Sequence, residues 1–298
     1  MSSDSHRFTS VIITAGFGAC LEVECCPELV GIVRTLMDEE VDFSSNRGSS
    51  PDLTVTVRGD DVVVDEPTGP LCAPLLSRKW PRFAACIGLM NYLEAALAAR
   101  SESVALHGGA VSIDGKGVAL LQSRGSGKTT LLAALINEKH GSGDVGYIAD
   151  DLVFYRDGII KGVPFPMRMR RMHVDGISFS GSVLAEVLDE EGQIRSLYFP
   201  PCRVVRDEVP LRAVILPEFN KGSAGRIDAL SPSTSFQFYL ANCRNHYSNL
   251  GLAVPQLVHL SRNVAAYRVV FGNLREGLQL SLSILGGGSG YAKDLSGE

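Results

Sequence analysis

VALLQSRGSGKT, residues 118–129, is the stretch that decides the fold. Its four leading apolar residues predict a short buried β-strand, and Gly125 and Gly127 allow the loop that follows to approach a ligand closely. A helix is predicted from about Lys128 to Lys139, so its positive N-terminal end faces that loop. Lys128 and Thr129 stand where the GxxxxGK[ST] pattern places a lysine for the β- and γ-phosphates and a hydroxyl for Mg²⁺. The stretch therefore predicts a strand, loop and helix that bind nucleotide phosphates.

Gln122 occupies the position of the first glycine in that pattern. A glycine there eases the sharp turn at the end of the strand, so glutamine fits only if its backbone keeps a commonly occupied conformation. The backbone N–H groups of such a loop wrap the phosphates. The predicted nucleotide-binding residues are Ser123, Arg124, Gly125, Ser126, Gly127, Lys128, Thr129 and Thr130.

A second apolar stretch, residues 145–149, ends in the pair Asp150-Asp151. A carboxylate at the end of a strand beside a phosphate-binding loop is a typical Mg²⁺ ligand. Two adjacent carboxylates also allow one to face the metal while the other takes a proton from an attacking hydroxyl. An isolated Asp-Asp pair is more typical of a simple turn, but its place after the loop favours the catalytic interpretation.

Two further features supply candidate site residues. His107 lies between a predicted strand and Gly108-Gly109, where a structural histidine is the ordinary interpretation. Residues 166–172, PMRMRRM, alternate methionine and arginine and predict a half-buried strand with Arg168 and Arg170 on one face. If this strand borders the nucleotide, either arginine could neutralise phosphoryl charge, and otherwise the arginines form a solvated face.

Composition sets limits on the class of protein. The chain has 298 residues and a net charge of −5, and the first 100 residues carry 8 basic and 14 acidic side chains. A surface for nucleic acid is not indicated.

The seven cysteines are odd in number and lack CxxC spacing, and the start is polar rather than secretory, so we expect a cytoplasmic protein. The most apolar long segment, residues 84–99, is interrupted by Asn91 and Glu94 and is too short to span a bilayer, so it predicts a buried helix.

The periodicity predicts an α/β protein in three parts. Residues 1–100 form a small α+β unit for acceptor or partner recognition, with a hairpin at residues 53–64 and helices at residues 28–37 and from Pro81 to Arg100. Residues 101–286 form the domain with the phosphate-binding loop, and residues 287–298 a disordered tail. Strands are predicted at residues 104–106, 110–113, 152–155, 159–163, 211–216 and 265–270, and helices at residues 233–246 and 276–285.

Three motifs together resemble the HPr kinase/phosphorylase family. They are Leu106-His107-Gly108, the loop ending in Gly125-Ser126-Gly127-Lys128-Thr129, and Ala149-Asp150-Asp151. Within that family they are most similar to the HPr-kinase-like proteins of peptide natural-product clusters, such as the lasso-peptide kinases. The resemblance implies a P-loop kinase domain of the HPr kinase/phosphoenolpyruvate carboxykinase type, with ATP and Mg²⁺ as cofactors and a hydroxyl acceptor.

The resemblance also implies roles for the matching residues. Lys128 would hold phosphates, Thr129 and Asp150 the metal, Asp151 would be the general base, and His107 would lie at the acceptor side. The glycine-rich signature that follows in HPr kinases has no match here, which argues against HPr as the acceptor.

We therefore expect an ATP-dependent kinase acting on a hydroxyl, most plausibly of Ser or Thr in a peptide or small protein. A small-molecule kinase for an amino acid, sugar or nucleoside, and a nucleotide-binding scaffold without transfer activity, are the alternatives. A helicase, transporter ATPase or GTPase is disfavoured because their signature motifs are missing from the sequence. We expect neither nucleic acid nor a membrane as a partner, whereas a homo-oligomer is compatible with the sequence.

Overall fold

The fold follows from the alternation of apolar strands and amphipathic helices in a computed structural model of the chain. The structure describes residues 9–15, 19–25, 53–58, 61–65, 77–81, 93–99, 101–122, 125–137, 144–169, 173–174, 177–178, 185–188, 194–199, 203–246 and 250–285. The predicted helix at residues 28–37 and the predicted tail at residues 287–298 lie outside these ranges.

The N-terminal part contains a five-stranded sheet in sequence order. Its strands are β1 (Thr9–Ala15), β2 (Ala19–Cys25), β3 (Leu53–Arg58), β4 (Asp61–Asp65) and β5 (Ser77–Pro81). The hairpin predicted at residues 53–64 is confirmed, since β3 and β4 pair antiparallel with Arg58 opposite Asp61. The prediction that Pro81 begins a helix is wrong. Pro81 ends β5, an edge strand, where a residue without an N–H group is tolerated.

The second sheet is larger and mixed, which confirms the α/β class. Its strands are β6 (Val104–Ile113), β7 (Lys116–Leu121), β8 (Val145–Ala149), β9 (Leu152–Arg156), β10 (Ile159–Gly162), β16 (Val209–Phe219), β17 (Arg226–Ala229) and β18 (Ala265–Phe271). The order is β10-β9-β6-β7-β16-β18-β17, with β8 beside β6. Strands β7, β16 and β18 are parallel, so their carboxyl ends lie at one edge of the sheet.

Helices cover both faces of this sheet. They are α1 (residues 93–99), α2 (Lys128–Asn137), α3 (Pro232–Asn242), α4 (Leu250–Asn263) and α5 (Leu274–Leu285). Alternate residues of β7 divide between two cores: Val118 and Leu120 pack with α2 and α5, whereas Ala119 and Leu121 pack with α3 and α4. A strand buried on both faces must be apolar at every position, which explains the run VALL.

One predicted helix needs correction, and two elements were not predicted. The helix predicted over residues 233–246 ends at Asn242, because Cys243 leaves the helix to form a β-bridge with Leu106. Helix α4 and strand β17 were not predicted, and both cover or extend the larger sheet. These differences matter because the residues after Asn242 enter the candidate site.

Short strands complete the described structure. They are β11 (Met167–Met169), β12 (His173–Val174), β13 (Ile177–Ser178), β14 (Ala185–Leu188) and β15 (Ile194–Phe199). The predicted half-buried strand is confirmed in β11, where both methionines are buried and Arg168 is half-buried. Within the described ranges, every helix is too short or too polar to cross a membrane.

Candidate active site

The glycine loop, residues 122–128, connects β7 to α2. Gly125 and Gly127 have φ values of +91° and +88°, in the left-handed region that a residue with a Cβ rarely adopts. Gln122 is not among the described non-glycine residues with positive φ, so a glutamine is accommodated there without strain. Ser123 and Arg124 lie outside the described residues. The helix begins directly after the loop, with Leu131 N–H donating to the Gly127 carbonyl at 2.8 Å.

Lys128 is held at the centre of the site. Its side chain is buried, and Nζ lies 3.2 Å from the Gln122 carbonyl oxygen and 3.3 Å from His107 Nε2. A buried ammonium group is costly unless it has partners. These two contacts therefore hold the lysine ammonium group at the end of the glycine loop.

Thr129 and Asp150 are brought together as expected for a metal site. Thr129 Oγ1 donates to Asp150 Oδ1 at 3.2 Å, whereas the buried Asp150 Oδ2 has no hydrogen-bond partner. Burial, reinforced by the charge of Asp151, raises the pKa of Asp150 to about 7 against the opposing charge of Lys128. An unpaired buried carboxylate oxygen is costly without a compensating cation.

The acidic pair interrupts what would otherwise be one long strand. Strands β8 and β9 both pair antiparallel with β6, and Asp150-Asp151 forms the break between them. Asp151 has a φ of +83°, a strained conformation for a non-glycine residue that aspartate tolerates better than most. The break sends Asp150 inward and leaves the Asp151 side chain one-third exposed, so the two carboxylates have different surroundings.

His107 lies next to this break, opposite Leu152 in the pairing of β6 with β9. The prediction of two separate strands around it is wrong, because β6 runs without interruption from Val104 to Ile113. The glycines after His107 serve close packing instead of ending the strand. A Cβ on Gly109 would lie 2.9 Å from Leu132 Cδ2 and 3.3 Å from Asp150 Oδ1, so glycine here lets α2 and the carboxylate approach β6.

The surroundings of His107 keep it neutral. Burial, followed by the positive charges of Lys128 and Arg244, lowers the pKa of His107 to about 4. Nδ1 lies 3.2 Å from the Asp151 carbonyl oxygen and 3.0 Å from Arg244 Nη2, and Nε2 faces Lys128. A neutral imidazole has one donor and one acceptor nitrogen, so it cannot accept from both cations while it donates to Asp151. The imidazole is therefore a neutral spacer between the two cations.

Arg244 is a site residue that the sequence analysis missed. Its backbone N–H donates to the Ala105 carbonyl at 2.7 Å, and the adjacent Cys243 bridges Leu106. These contacts attach the segment after α3 to the start of β6, beside His107. The Arg244 side chain is exposed, so its guanidinium lies at the mouth of the site. Within a predicted helix, a single arginine gave no signal of this role.

Asn245 joins this segment to helix α1. It is buried, and its Nδ2 donates to the carbonyls of Ala98 (3.1 Å) and Ser103 (2.8 Å), while its Oδ1 accepts from Ala105 N–H at 3.0 Å. One side chain thus ties the end of α1, the start of β6 and the segment carrying Arg244 together.

Glu94, on α1, is a second residue that was not predicted. Burial, followed by the negative charge of Asp151, raises the pKa of Glu94 to about 8, and the charge of Arg244 opposes that shift. The Glu94 carboxyl group is therefore close enough to Asp151 and Arg244 for their charges to shift its pKa. The only signal in the sequence was an acidic residue interrupting an apolar helix.

Of the remaining predicted residues, Arg168 borders the site and two others are not placed in it. The backbone of Arg168 lies close enough to the Asp150 carboxylate to lower its pKa slightly against the effect of burial, so β11 borders the metal side. Arg170 lies outside the described residues. Thr130 is half-buried in the first turn of α2.

The residues present fit a Mg²⁺ ion. Magnesium prefers hard oxygen ligands and usually keeps several waters, so a hydroxyl and one or two carboxylates beside substrate phosphates suffice. Thr129 and Asp150 provide such oxygens, and Asp150 Oδ2 and the buried Ser126 Oγ have no partner. Among the described side chains, no group of three or more His, Cys, Asp or Glu could hold a metal by itself. The arrangement is thus suited to a cation that is shared with a phosphate.

No protein-family model matches the chain, and a search of curated proteins finds no match. The family resemblance therefore rests on the three sequence motifs alone.

Proposed function

We propose that this protein is an ATP-dependent kinase of the HPr kinase-like type, acting in the cytoplasm. It would transfer the γ-phosphoryl group to the hydroxyl of Ser or Thr in a peptide or small protein. The observation that carries the proposal is the set of five side chains gathered at the end of the glycine loop. These are His107, Lys128, Thr129, Asp150 and Asp151.

The phosphate side of the site consists of residues 125–129 and Asp150. Backbone N–H groups at the start of α2 and the Lys128 ammonium would bind the phosphates of ATP. Bound Mg²⁺, held by Thr129 and Asp150, would neutralise charge on the β- and γ-phosphates. The unpaired Oδ2 of Asp150 supports this assignment, since a bound Mg²⁺ ion would give this buried oxygen a partner.

The acceptor side consists of Glu94, His107, Asp151 and Arg244. Asp151 would take the proton of the acceptor hydroxyl as its oxygen forms a bond to the γ-phosphorus. The bond between that phosphorus and the oxygen bridging to the β-phosphate breaks, and ADP leaves with the electron pair. Asp151 suits this role because its side chain is accessible, whereas Asp150 is buried.

His107 and Arg244 would position the acceptor and the charge around it. His107 Nδ1 lies 3.2 Å from the Asp151 carbonyl oxygen, beside the strained backbone that presents the carboxylate. The exposed Arg244 guanidinium would attract the anionic γ-phosphoryl group or an anionic acceptor.

The test is transfer from γ-labelled ATP to a panel of Ser- and Thr-containing peptides, amino acids, sugars and nucleosides, followed by mass spectrometry. We expect a phosphate ester on a peptide hydroxyl, and loss of that product with Asp151→Asn. Mg²⁺-dependent ATP binding without transfer to any member of the panel would instead indicate the nucleotide-binding scaffold. Phosphorylation of only the small compounds would indicate the small-molecule kinase.

A further inference from the structure

An exposed aromatic ring lies beside the glycine loop and has no role in the chemistry described above. Phe219 is the last residue of β16 and is 45% exposed. Only Leu250 and Val254, both on α4, are comparable exposed large apolar residues in the part of the chain that the structure describes. A single exposed apolar residue is ordinary on a protein surface. What distinguishes Phe219 is its position beside the glycine loop.

Phe219 is tied directly to the glycine loop. Its backbone N–H donates to the Ser126 carbonyl at 3.2 Å, and its ring packs on Phe271 with centroids 5.8 Å apart and planes tilted by 55°. A Cβ on Gly127 would lie 3.3 Å from Phe271 Cζ and 3.5 Å from Phe219 Cβ. The phosphate loop and the aromatic pair therefore form one packed unit.

The segment after Phe219 is also held in place. Asn220 N–H donates to the Phe271 carbonyl at 2.9 Å, which joins the ends of β16 and β18. The Glu276 carboxylate accepts from Gly225 N–H at 2.9 Å and from Gly272 N–H at 2.8 Å. These bonds fix the loop that follows β16 against the start of α5, so the ring of Phe219 has a defined position.

The strand order places Phe219 opposite the acceptor side. Strand β7, which leads into the glycine loop, lies between β6, which carries His107 and faces Asp151, and β16, which carries Phe219. In ATP the base lies at the opposite end of the molecule from the γ-phosphorus. If the γ-phosphoryl group faces His107 and Asp151, the rest of the nucleotide extends toward the ends of β16 and β18. Ligands of open α/β sheets bind in this way at the carboxyl ends of parallel strands.

From this placement we infer that Phe219 is the stacking surface for the base of the bound nucleotide. The inference rests on the proposed function, which supplies the phosphate end of the same ligand. A flat apolar ring supported from behind by Phe271 can stack on a base without any change in the backbone. Base stacking on an aromatic ring contributes substantially to nucleotide binding and does not depend on hydrogen-bond recognition. Phe219 would thus raise affinity for a nucleotide over that for its phosphates alone.

The experiment compares two ligands, ATP and inorganic tripolyphosphate, each with Mg²⁺, by isothermal titration calorimetry. Phe219→Ala should weaken ATP binding about tenfold or more, the range expected for loss of one stacking surface, and leave tripolyphosphate binding unchanged. Phe219→Trp should retain ATP affinity. Val254→Ala, which also truncates an exposed apolar side chain, should change neither affinity. Circular dichroism and thermal unfolding of each variant check that the fold is intact.

A fluorescence measurement gives an independent readout. Trp80 is the only tryptophan in the sequence, so Phe219→Trp in a Trp80→Phe background reports on position 219 alone. We expect ATP to quench this emission and tripolyphosphate to leave it unchanged. If Phe219→Ala weakened the binding of ATP and tripolyphosphate equally, or weakened neither, the stacking role would be overturned while the phosphate site stands. Failure of the wild-type protein to bind both ligands would overturn the proposed function and the stacking role with it.

Discussion

The phosphate side and the acceptor side of the candidate site are built in different ways. Except for Asp150, the phosphate side comes from one continuous stretch, in which the strand, the glycines, Lys128 and Thr129 follow each other directly. The acceptor side draws Glu94, His107, Asp151 and Arg244 from four separate segments. A local motif can be recognised in the sequence, whereas a site assembled from distant segments depends on tertiary contacts. The phosphate side can therefore be recognised from the sequence motif alone. The acceptor side should lose its arrangement when the tertiary contacts that hold its segments together are removed.

The largest expected effect separates the two sides. Lys128→Ala should abolish both ATP binding and transfer, because the lysine charge acts on the phosphates themselves. Asp151→Asn should lower the transfer rate by about 100- to 10,000-fold, the range for loss of a general base, and leave Mg²⁺–ATP affinity nearly unchanged. Calorimetry and a transfer assay on the same preparations make the comparison. Full transfer in either variant would contradict the roles assigned here.

The next largest effect concerns assembly of the acceptor side. Asn245→Ala removes the buried amide that joins α1, β6 and the Arg244 segment, and takes one hydrogen-bond partner from each of three backbone groups, in Ala98, Ser103 and Ala105. We expect a loss of about 2–4 kcal/mol in the free energy of unfolding, measured by urea denaturation. Asn263→Ala is the matched control, since that exposed amide bonds only to a nearby carbonyl of its own helix. Equal small losses in both variants would show that Asn245 does not organise the site.

Arg244→Ala should have a smaller effect, confined to the acceptor side. Removal of an exposed cation beside His107 should lower kcat/KM for the acceptor by about tenfold and leave ATP affinity unchanged. Arg212→Ala removes another exposed arginine and serves as the control. An equal change in ATP affinity would place Arg244 on the phosphate side instead.

The smallest effect is on stability and depends on pH. The pKa of Glu94 is about 8 in the folded protein, against an ordinary value of 4.5. Between these two pH values the folded protein keeps the Glu94 proton, whereas the unfolded chain releases it. Stability should therefore fall as pH rises through this window. Glu94→Gln should weaken that dependence, leaving the part that the raised pKa of Asp150 contributes in the same direction, and should raise the free energy of unfolding at about pH 8 on the order of 1 kcal/mol.

The control for this variant is Glu102→Gln, an exposed glutamate on the segment after α1. Urea unfolding at about pH 5 and about pH 8 gives the measurement. The same pH dependence in wild type and Glu94→Gln would show that this carboxyl is not responsible.

Part of the fold and of the candidate site could be predicted from the sequence alone. Most strands of the larger sheet were predicted because a strand buried on both faces leaves an unbroken apolar run, as in residues 118–121, whereas the more exposed β17 was missed. That Lys128, Thr129, Asp150 and Asp151 lie together could be predicted because the loop and the strand ends restrict where their side chains occur. The long strand β6 was divided wrongly, since Gly108 and Gly109 looked like a break and instead permit close packing.

The rest of the site could not be predicted for a physical reason. Arg244 lies where the periodicity extends a helix, and only the bridge between Leu106 and Cys243 ends that helix at Asn242. Glu94 differs from an ordinary surface glutamate only through neighbours that are distant in the chain. Its interruption of an apolar helix was a usable signal, but it did not indicate which residues it would face.

The central claim is that the glycine loop, Thr129 and Asp150 form a Mg²⁺–nucleotide site. Calorimetric titration of the wild-type protein with ATP, with and without Mg²⁺, tests it most directly, with Lys128→Ala as the paired variant. The account predicts saturable binding that requires Mg²⁺ and is lost in Lys128→Ala. Absence of binding to the wild-type protein, or binding that persists unchanged in Lys128→Ala, would contradict it.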